Sequence, residues 1–372
     1  MEADWLILAR ACGQRPERGL RLLETFGSIG AIRQAGREAL RSAGATPAQA
    51  EALREPDQEG LDRDLRWLAQ RPDHHLLHRD HSAYPARLRE IDDPPLALFV
   101  VGDPDVLSLP QLAVVGSRNA TSGGVTNARE FSRHLAGYGL TITSGLAHGI
   151  DTAAHSGALD GGGYTVAVTA TGPDRIYPAA NRDLARRIVD SGGAVVTEYP
   201  CATPARPHHF PRRNRIISGL AAGTLVVEAS PRSGSLITAR LALEQGREVF
   251  ALPGSIHNPL ARGCHRLIRD GVAKLTEQCR DILEELAGRL PPVPDGASPA
   301  TAGSADGPAE ADAAMDPDHA ATLDAVAHDP VPLDVIVQRT GLTADTVSSI
   351  LLQLELSGFI TAMPGGRYVR AG

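Results

Sequence analysis

The residues of this chain that could do chemistry are small ones, set where apolar runs end. Val114-Val115-Gly116-Ser117-Arg118 leads into a helix-forming stretch near Gly124. A strand that ends in such a loop points backbone N–H groups at a helix N-terminus, where anions bind. The arrangement recurs at Thr143-Ser144-Gly145-Leu146-Ala147, at Ser233-Gly234-Ser235-Leu236-Ile237-Thr238 and at Leu252-Pro253-Gly254-Ser255. In an open α/β sheet these loops line a common edge. Four of them exceed what one mononucleotide needs, and a row of anion sites suits a polymer of phosphates. The competing reading of each is an ordinary strand-to-helix turn. Neither GxGxxG nor GK[ST] is present, so the markers of NAD and ATP sites are missing and no cofactor is expected.

A second constellation is the run RPHHFPRRNR at 206–215, in which Arg206, Arg212, Arg213 and Arg215 surround Phe210, with Asn214 among them. An aromatic ring that stacks on a base, interleaved with guanidinium groups that grip phosphate, is the composition single-stranded nucleic acid prefers. The chain carries a net charge of −7, which argues mildly against a nucleic-acid partner. The distribution argues the other way: from 205 to 269, ten arginines stand against three glutamates. Lys274 is the only lysine; an arginine-rich codon usage accounts for that bias but not for the clustering.

Catalytic readings find less support. His148, Asp151 and His155 fall at i, i+3 and i+7, a spacing that metal ligands can use, but such a face packs on a sheet more readily, with Asp151 capping the helix. Cys264 and His265 are adjacent on a helix and point about 100° apart, so they do not meet as a nucleophile and base. No GxSxG elbow occurs, and Glu198, Glu228 and Glu244 are not paired at a known spacing. Neither catalytic residues nor metal ligands are expected. Cys12, Cys201, Cys264 and Cys279 are scattered, without a CxxC pair, which fits a reducing cytoplasm. No segment approaches the roughly 20 apolar residues of a membrane span, so no membrane association is expected.

The elements that must position these residues follow from periodicity. Helical patterns at 5–12, 16–26, 31–35, 37–42, 47–53 and 60–70 predict a small helical domain over 1–75, resembling a SAM or helix-hairpin-helix module at the Gly27–Gly30 turn. Its eleven arginines nearly balance twelve acids, a weak electrostatic case for DNA. Short apolar runs at 96–101, 112–116, 140–145, 164–172, 194–199, 224–230 and 248–254 alternate with helical stretches at 124–136, 151–159, 181–190, 235–245 and 262–270. That alternation predicts an α/β core over 80–287, Rossmann-like and doubly wound, with a mostly parallel sheet. Residues 288–317, rich in Pro, Ala, Gly, Ser and Asp, predict a disordered linker. Three helical stretches and a hairpin at Pro364-Gly365-Gly366 predict a winged helix over 318–372.

With those residues in view, the chain resembles the DNA-processing protein A (DprA, or Smf) family of bacterial natural transformation. The resemblance rests on VVGSR at 114–118, SGLAHGIDTAAH at 144–155, YPAANRDL at 177–184, TEYP at 197–200, FPRRNRIISGL at 210–220, VVEASPRSGSLITARLALEQGREVFALPGS at 226–255 and GCHRLIRDGV at 263–272. It implies a non-enzymatic recombination mediator that binds single-stranded DNA in a positively charged pocket, forms a homodimer and loads the RecA recombinase. It also implies that Gly116, Ser117 and Arg118 hold phosphate, that Phe210 stacks a base, and that Asn214 and Arg215 shape the pocket. Ser144, Gly145, Arg206, Arg213, Gly234 and Ser235 complete the expected single-strand site. Family members often carry a lysine three residues before the phenylalanine; here that position is Pro207, with Arg206 beside it. A rival reading, a nucleotide-cleaving phosphoribohydrolase on a related Rossmann-like fold, would require PGGxGTxxE, and the comparable loop here reads LPGSIHNPL.

The C-terminal module is charged the wrong way for DNA. From 316 to 372 seven acids stand against three arginines, and the candidate recognition helix at 343–359 has no arginine or lysine and presents Asp345 in its first turn. Base reading in the major groove needs donors there. Deleting residues 290–372 is therefore expected to leave single-strand affinity within about threefold, under ~1 kcal/mol, in a fluorescence-anisotropy titration. A tenfold loss in a folded truncation would put this module on the DNA.

Overall fold

The apolar runs assemble into one nine-stranded sheet, seen in a computed structural model that describes residues 2–13, 15–288, 316–326 and 330–370. Its strands are β1 (His74–His78), β2 (Ala97–Gly102), β3 (Gln111–Gly116), β4 (Thr141–Ser144), β5 (Thr165–Val168), β6 (Ala194–Thr197), β7 (Gly223–Val227), β8 (Glu248–Ala251) and β9 (Lys274–Leu275). They lie in the order β1-β2-β6-β5-β4-β3-β7-β8-β9. Every pairing from β6 through to β9 is parallel, whereas β2 runs against both neighbours.

Helices α1 (Glu2–Cys12), α2 (Pro16–Phe26), α3 (Ile29–Gln34), α4 (Arg37–Ser42), α5 (Pro47–Arg54) and α6 (Gln58–Gln70) precede the sheet. Between and after the strands come α7 (Ala86–Arg89), α8 (Ser122–Gly137), α9 (Ile150–Asp160), α10 (Arg182–Asp190), α11 (His209–Leu220), α12 (Ser235–Glu244), α13 (Arg262–Arg269) and α14 (Cys279–Leu286). The period-2 alternation of a strand sorts its side chains between two layers. From β3, Leu112 and Val114 enter the core under α8 and α9, while Ala113 and Val115 enter the core under α11 and α12. Burial on both faces is why these strands read as continuous apolar runs. The predicted class, a Rossmann-like doubly wound sheet, is the observed one.

The N-terminal helices are packed onto the β1–β2 end of the sheet rather than held apart from it. Trp5, Leu8, Leu22 and Trp67 share one core with Leu76, Phe99 and Cys201. Trp67 stacks on His74 with ring centroids 3.9 Å apart and meets Phe99 edge-on at 5.8 Å. The Gly27 turn is local: Gly27 adopts φ 73° and closes α2 through a bond to Leu23 O, and the Ser28 hydroxyl caps α3, as C′ glycines and N-cap serines do.

The described residues from 316 onward form a second compact unit. It comprises α15 (Pro317–Ala325), β10 (Val331–Pro332), α16 (Leu333–Thr340), α17 (Ala344–Leu356), β11 (Ile360–Met363) and β12 (Arg367–Arg370), with strands ordered β10-β12-β11. Val326, Ile336, Val347, Leu351 and Ile360 fill its core, and Gly365 and Gly366 turn the wing with positive φ. This is a winged helix. The linker expected over 288–317 lies almost wholly outside the described residues.

Phe99 joins the helices to the sheet and is 2% exposed. Phe99→Ala should cost about 3–5 kcal/mol and lower the urea midpoints of tryptophan emission, which reports Trp5 and Trp67, and of amide exchange in β3–β7 together. Two separated midpoints would show that the helices and the sheet unfold independently.

Candidate nucleic-acid interface

Strand β3 has β4 on one side and β7 on the other, so the connections leaving the carboxyl ends of these strands diverge and open a crevice between them. Two close approaches shape it. A Cβ on Gly116 would lie 2.0 Å from Val227 O and 2.5 Å from Ile150, and a Cβ on Gly145 would lie 2.3 Å from the Arg213 guanidinium; only glycine fits either place. The resulting cleft holds about 730 Å³ and is lined by Gly116, Ser117, Arg118 and Asn119 after β3, Ala147 and Asp151 after β4, and Ser233, Gly234 and Ser235 before α12. Arg206 and one face of α11 close it.

That face explains which of the clustered residues meet. In a helix, positions three and four apart share a side, and Phe210, Arg213, Asn214 and Ile217 all line the cleft. Arg212 and Arg215 point the other way. The Arg212 Nε donates to Glu198 at 3.0 Å, Arg215 pairs with the other Glu198 oxygen, and the Arg215 Nε reaches Asp93 at 3.1 Å. The side chains of Arg215 and Glu198 are 4% and 5% exposed. Arg215 was expected in the single-strand site; the helical twist instead commits its charge to two carboxylates behind α11. Arg213 is in the cleft wall but buried, donating through Nη1 to Gly145 O at 2.6 Å and to Val168 O. Burial brings its pKa down to about 10, opposed by the nearby Asp151 carboxylate, so it stays charged and contributes field rather than an open fork.

Of the remaining expected residues, Ser144 and Gly145 stand outside the lining: Ser144 is buried with its hydroxyl donated to Val114 O, and Gly145 lies under Arg213. Gly116, Ser117, Arg118, Arg206, Phe210, Arg213, Asn214, Gly234 and Ser235 come together. The sequence reading missed Tyr177, which is 52% exposed and whose ring lies 5.7 Å from that of Phe210 at 58°. No spacing links residues 33 apart; the available signal was an aromatic inside the YPAANRDL motif. Arg118 sits over the Phe210 ring, 5.1 Å from its centroid, within cation–π range.

The loops differ as anion sites. At α8 the chain supplies its own anion: Glu228 accepts the Thr121 N–H at 2.9 Å and the Thr121 hydroxyl at 2.6 Å beside the first turn. At α9, Asp151 accepts the Ala147 N–H at 3.2 Å; burial raises its pKa, against the opposing Arg213 charge. At the α12 turn the Ser233 and Ser235 hydroxyls lie 2.7 Å apart and the Ser233 hydroxyl accepts the Ser235 N–H at 3.3 Å, so this loop would meet a phosphate with neutral hydroxyls. Gly254, in the fourth loop, is not part of the lining.

Two of the groups weighed for catalysis, His155 and Cys264, have structural roles. His155 is buried, bonded through Nδ1 to the Thr165 hydroxyl, with burial pulling its pKa down to about 3. Cys264 is buried against Val226 O, and burial pushes its thiol up to about 11. Among the described residues no group of three or more His, Cys, Asp or Glu is arranged to hold a metal ion, and no helix is long and apolar enough to cross a membrane.

Comparison with known proteins places this architecture. Residues 75–287 match the profile of DNA recombination-mediator protein A, and 306–366 match the DprA winged helix domain. The Smf protein of Escherichia coli K12 is 46% identical over 331 residues, 89% of this chain and 86% of that protein. The DNA processing protein DprA of Streptococcus pneumoniae is 48% identical over 202 residues, 54% of this chain and 71% of that protein. An X-ray structure of the S. pneumoniae protein superposes with a TM-score of 0.67 at 38% identity, covering 76% of this chain and 97% of that one. DNA processing protein A from Helicobacter pylori, described for its single-stranded DNA binding mode, superposes with a TM-score of 0.53 at 26% identity, over 59% and 97% of the two chains.

The cleft geometry separates charge from stacking. Arg118→Ala should weaken binding of a single-stranded oligonucleotide by about 1–3 kcal/mol and make its salt dependence shallower. Phe210→Ala should cost a similar ~1–3 kcal/mol with the salt slope nearly intact. Arg215→Ala should lower thermal stability without changing that slope. Anisotropy titrations across a salt series decide; equal slope changes for Arg118→Ala and Arg215→Ala would refute the assignment of faces.

Proposed function

Because this chain belongs to the DNA recombination-mediator protein A family, we propose that it processes DNA by binding single strands across the cleft between β3 and β7. One observation carries this reading. Arg118, on the β3 loop, and Tyr177 both stand against the ring of Phe210 on α11, so a cation and two π-faces meet at a single point of the cleft. A base stacked on one of those rings leaves its flanking phosphates near Arg118, Arg206 and the Ser233–Ser235 turn, which line the same cleft.

Such a platform needs an unstacked base. Stacking accepts any base face, whereas a duplex keeps those faces covered. The finer parts of the proposal extend the family resemblance: the protein acts as a homodimer in the cytoplasm, hands single strands to the RecA recombinase during natural transformation, and does so as a binding protein without chemistry of its own. Glu228, at the end of β7, has its oxygens engaged by Thr121 and Asn258.

Titrating labelled oligonucleotides of one length, single- and double-stranded, across a salt series tests the core of the reading. Single strands should bind at least about tenfold tighter, ~1.4 kcal/mol, with an affinity that falls as salt rises. Equal affinity for the duplex would overturn it. RecA filament growth on single strands coated with a single-strand-binding protein, with and without this chain, tests the hand-over.

A further inference from the structure

We propose that Glu228 is a positioning residue for the phosphate contact: its buried carboxylate fixes the loop from which Arg118 projects. This deepens the single-strand reading and rests on it.

Glu228 follows β7 in a left-handed conformation, φ 55°, and is 9% exposed. A non-glycine residue there is strained, and such strain persists only where the surroundings hold it. They do so without a cationic partner among the described residues. The Thr121 N–H donates to Oε2 at 2.9 Å, and Oε1 accepts from the Thr121 hydroxyl at 2.6 Å and from Asn258 Nδ2 at 3.0 Å. The same threonine hydroxyl accepts the Gly124 N–H at 3.0 Å and caps α8. Gly124 leaves room for the acid: a Cβ there would lie 2.5 Å from Glu228 Cδ. One side chain from β7 thus ties the start of α8 to the loop after β8, and its negative charge suits a helix N-terminus.

The tie lies three residues from Arg118. The other end of the same loop is anchored where Ser117 O accepts the Ile150 N–H at 3.2 Å, with the Ser117 hydroxyl accepting the Asn119 N–H at 3.2 Å. Between these anchors Arg118 is exposed and meets Phe210. Release of Thr121 frees one end of the loop, and the guanidinium must then be ordered anew each time a phosphate binds.

The test is a double-mutant cycle in the full-length protein. Glu228→Ala should weaken single-strand binding by about fivefold or more and make the salt slope shallower, although Glu228 is not a cation. In an Arg118→Ala background the same change should cost less than about twofold, because contacting groups couple and independent ones add. Thr121→Val, which removes the hydroxyl that donates to Glu228 and caps α8 but keeps the backbone N–H, should shift affinity in the same direction by less, with the same dependence on Arg118; it decides the matter if Glu228→Ala does not fold. Additive losses, or unchanged affinity in folded variants, overturn the proposal while leaving the single-strand reading intact. No effect of Arg118→Ala by itself overturns both.

Discussion

Arg213 reaches from α11 to the carbonyls of Gly145 and Val168, at the ends of β4 and β5, and is 3% exposed. Parallel strands leave carbonyls without partners at their carboxyl ends, and a buried carbonyl without a donor costs free energy. One guanidinium satisfies two of them and faces Asp151, which moderates the cost of burying its charge. Without that donor each buried carbonyl left unsatisfied would cost about 1–3 kcal/mol. The seat requires a glycine at 145, so the small-residue loop after β4 serves helix packing first. With Arg213 fixed, the rigid helix carries Phe210 and Asn214 to the cleft and turns Arg212 and Arg215 away from it.

That helix also resolves how a chain of net charge −7 presents a surface to phosphates. Acids near the cleft are neutralised or engaged: Glu198 by Arg212 and Arg215, Glu228 by three hydrogen bonds. Among the described residues, Arg118, Arg206, Arg232 and Arg262 are exposed and have no acid within ion-pair distance. At physiological ionic strength charges further apart than about 8 Å are largely screened, so a phosphate in the cleft responds to these neighbours and not to acids elsewhere on the chain. Net charge describes the molecule's solubility; the local inventory describes its ligand.

The doubly wound sheet was legible because burial on both faces makes strands continuously apolar, and seven of the nine appear as such runs. The reversed direction of β2 was not, since LALFVV at 96–101 reads the same either way. Strand β1, HHLLH, lacks β-branched residues, and β9 has only two residues; neither leaves a pattern. At the site, the loops were legible and the sorting of the arginines was not. Pro207 and Pro211 discourage a helical reading of RPHHFPRRNR, yet Pro211 falls in the first turn of α11, where its missing N–H has no partner to lose. Without the helix, four arginines look like one patch; with it, two face the cleft side and two face Glu198. Tyr177 joins Phe210 only through the tertiary fold, and Glu228 reads as a stray acid until the ends of β3 and β7 are set side by side.

On the proposed reading, the two kinds of contact in the cleft do different work. The arginines act on charge, which duplex and single strand both carry, and so contribute affinity without choosing between them. The choice falls to Phe210 and Tyr177, because only an unpaired, unstacked base exposes a face to lay on a ring. The two meet at one point, where Arg118 lies over Phe210, so a stacked base has a phosphate partner beside it. A cleft of this kind tolerates any base, since every base has a π-face, but not a paired one. That discrimination needs no base-edge donors, and it is consistent with a fold whose sheet edge is lined by backbone turns and hydroxyls rather than by a reading helix.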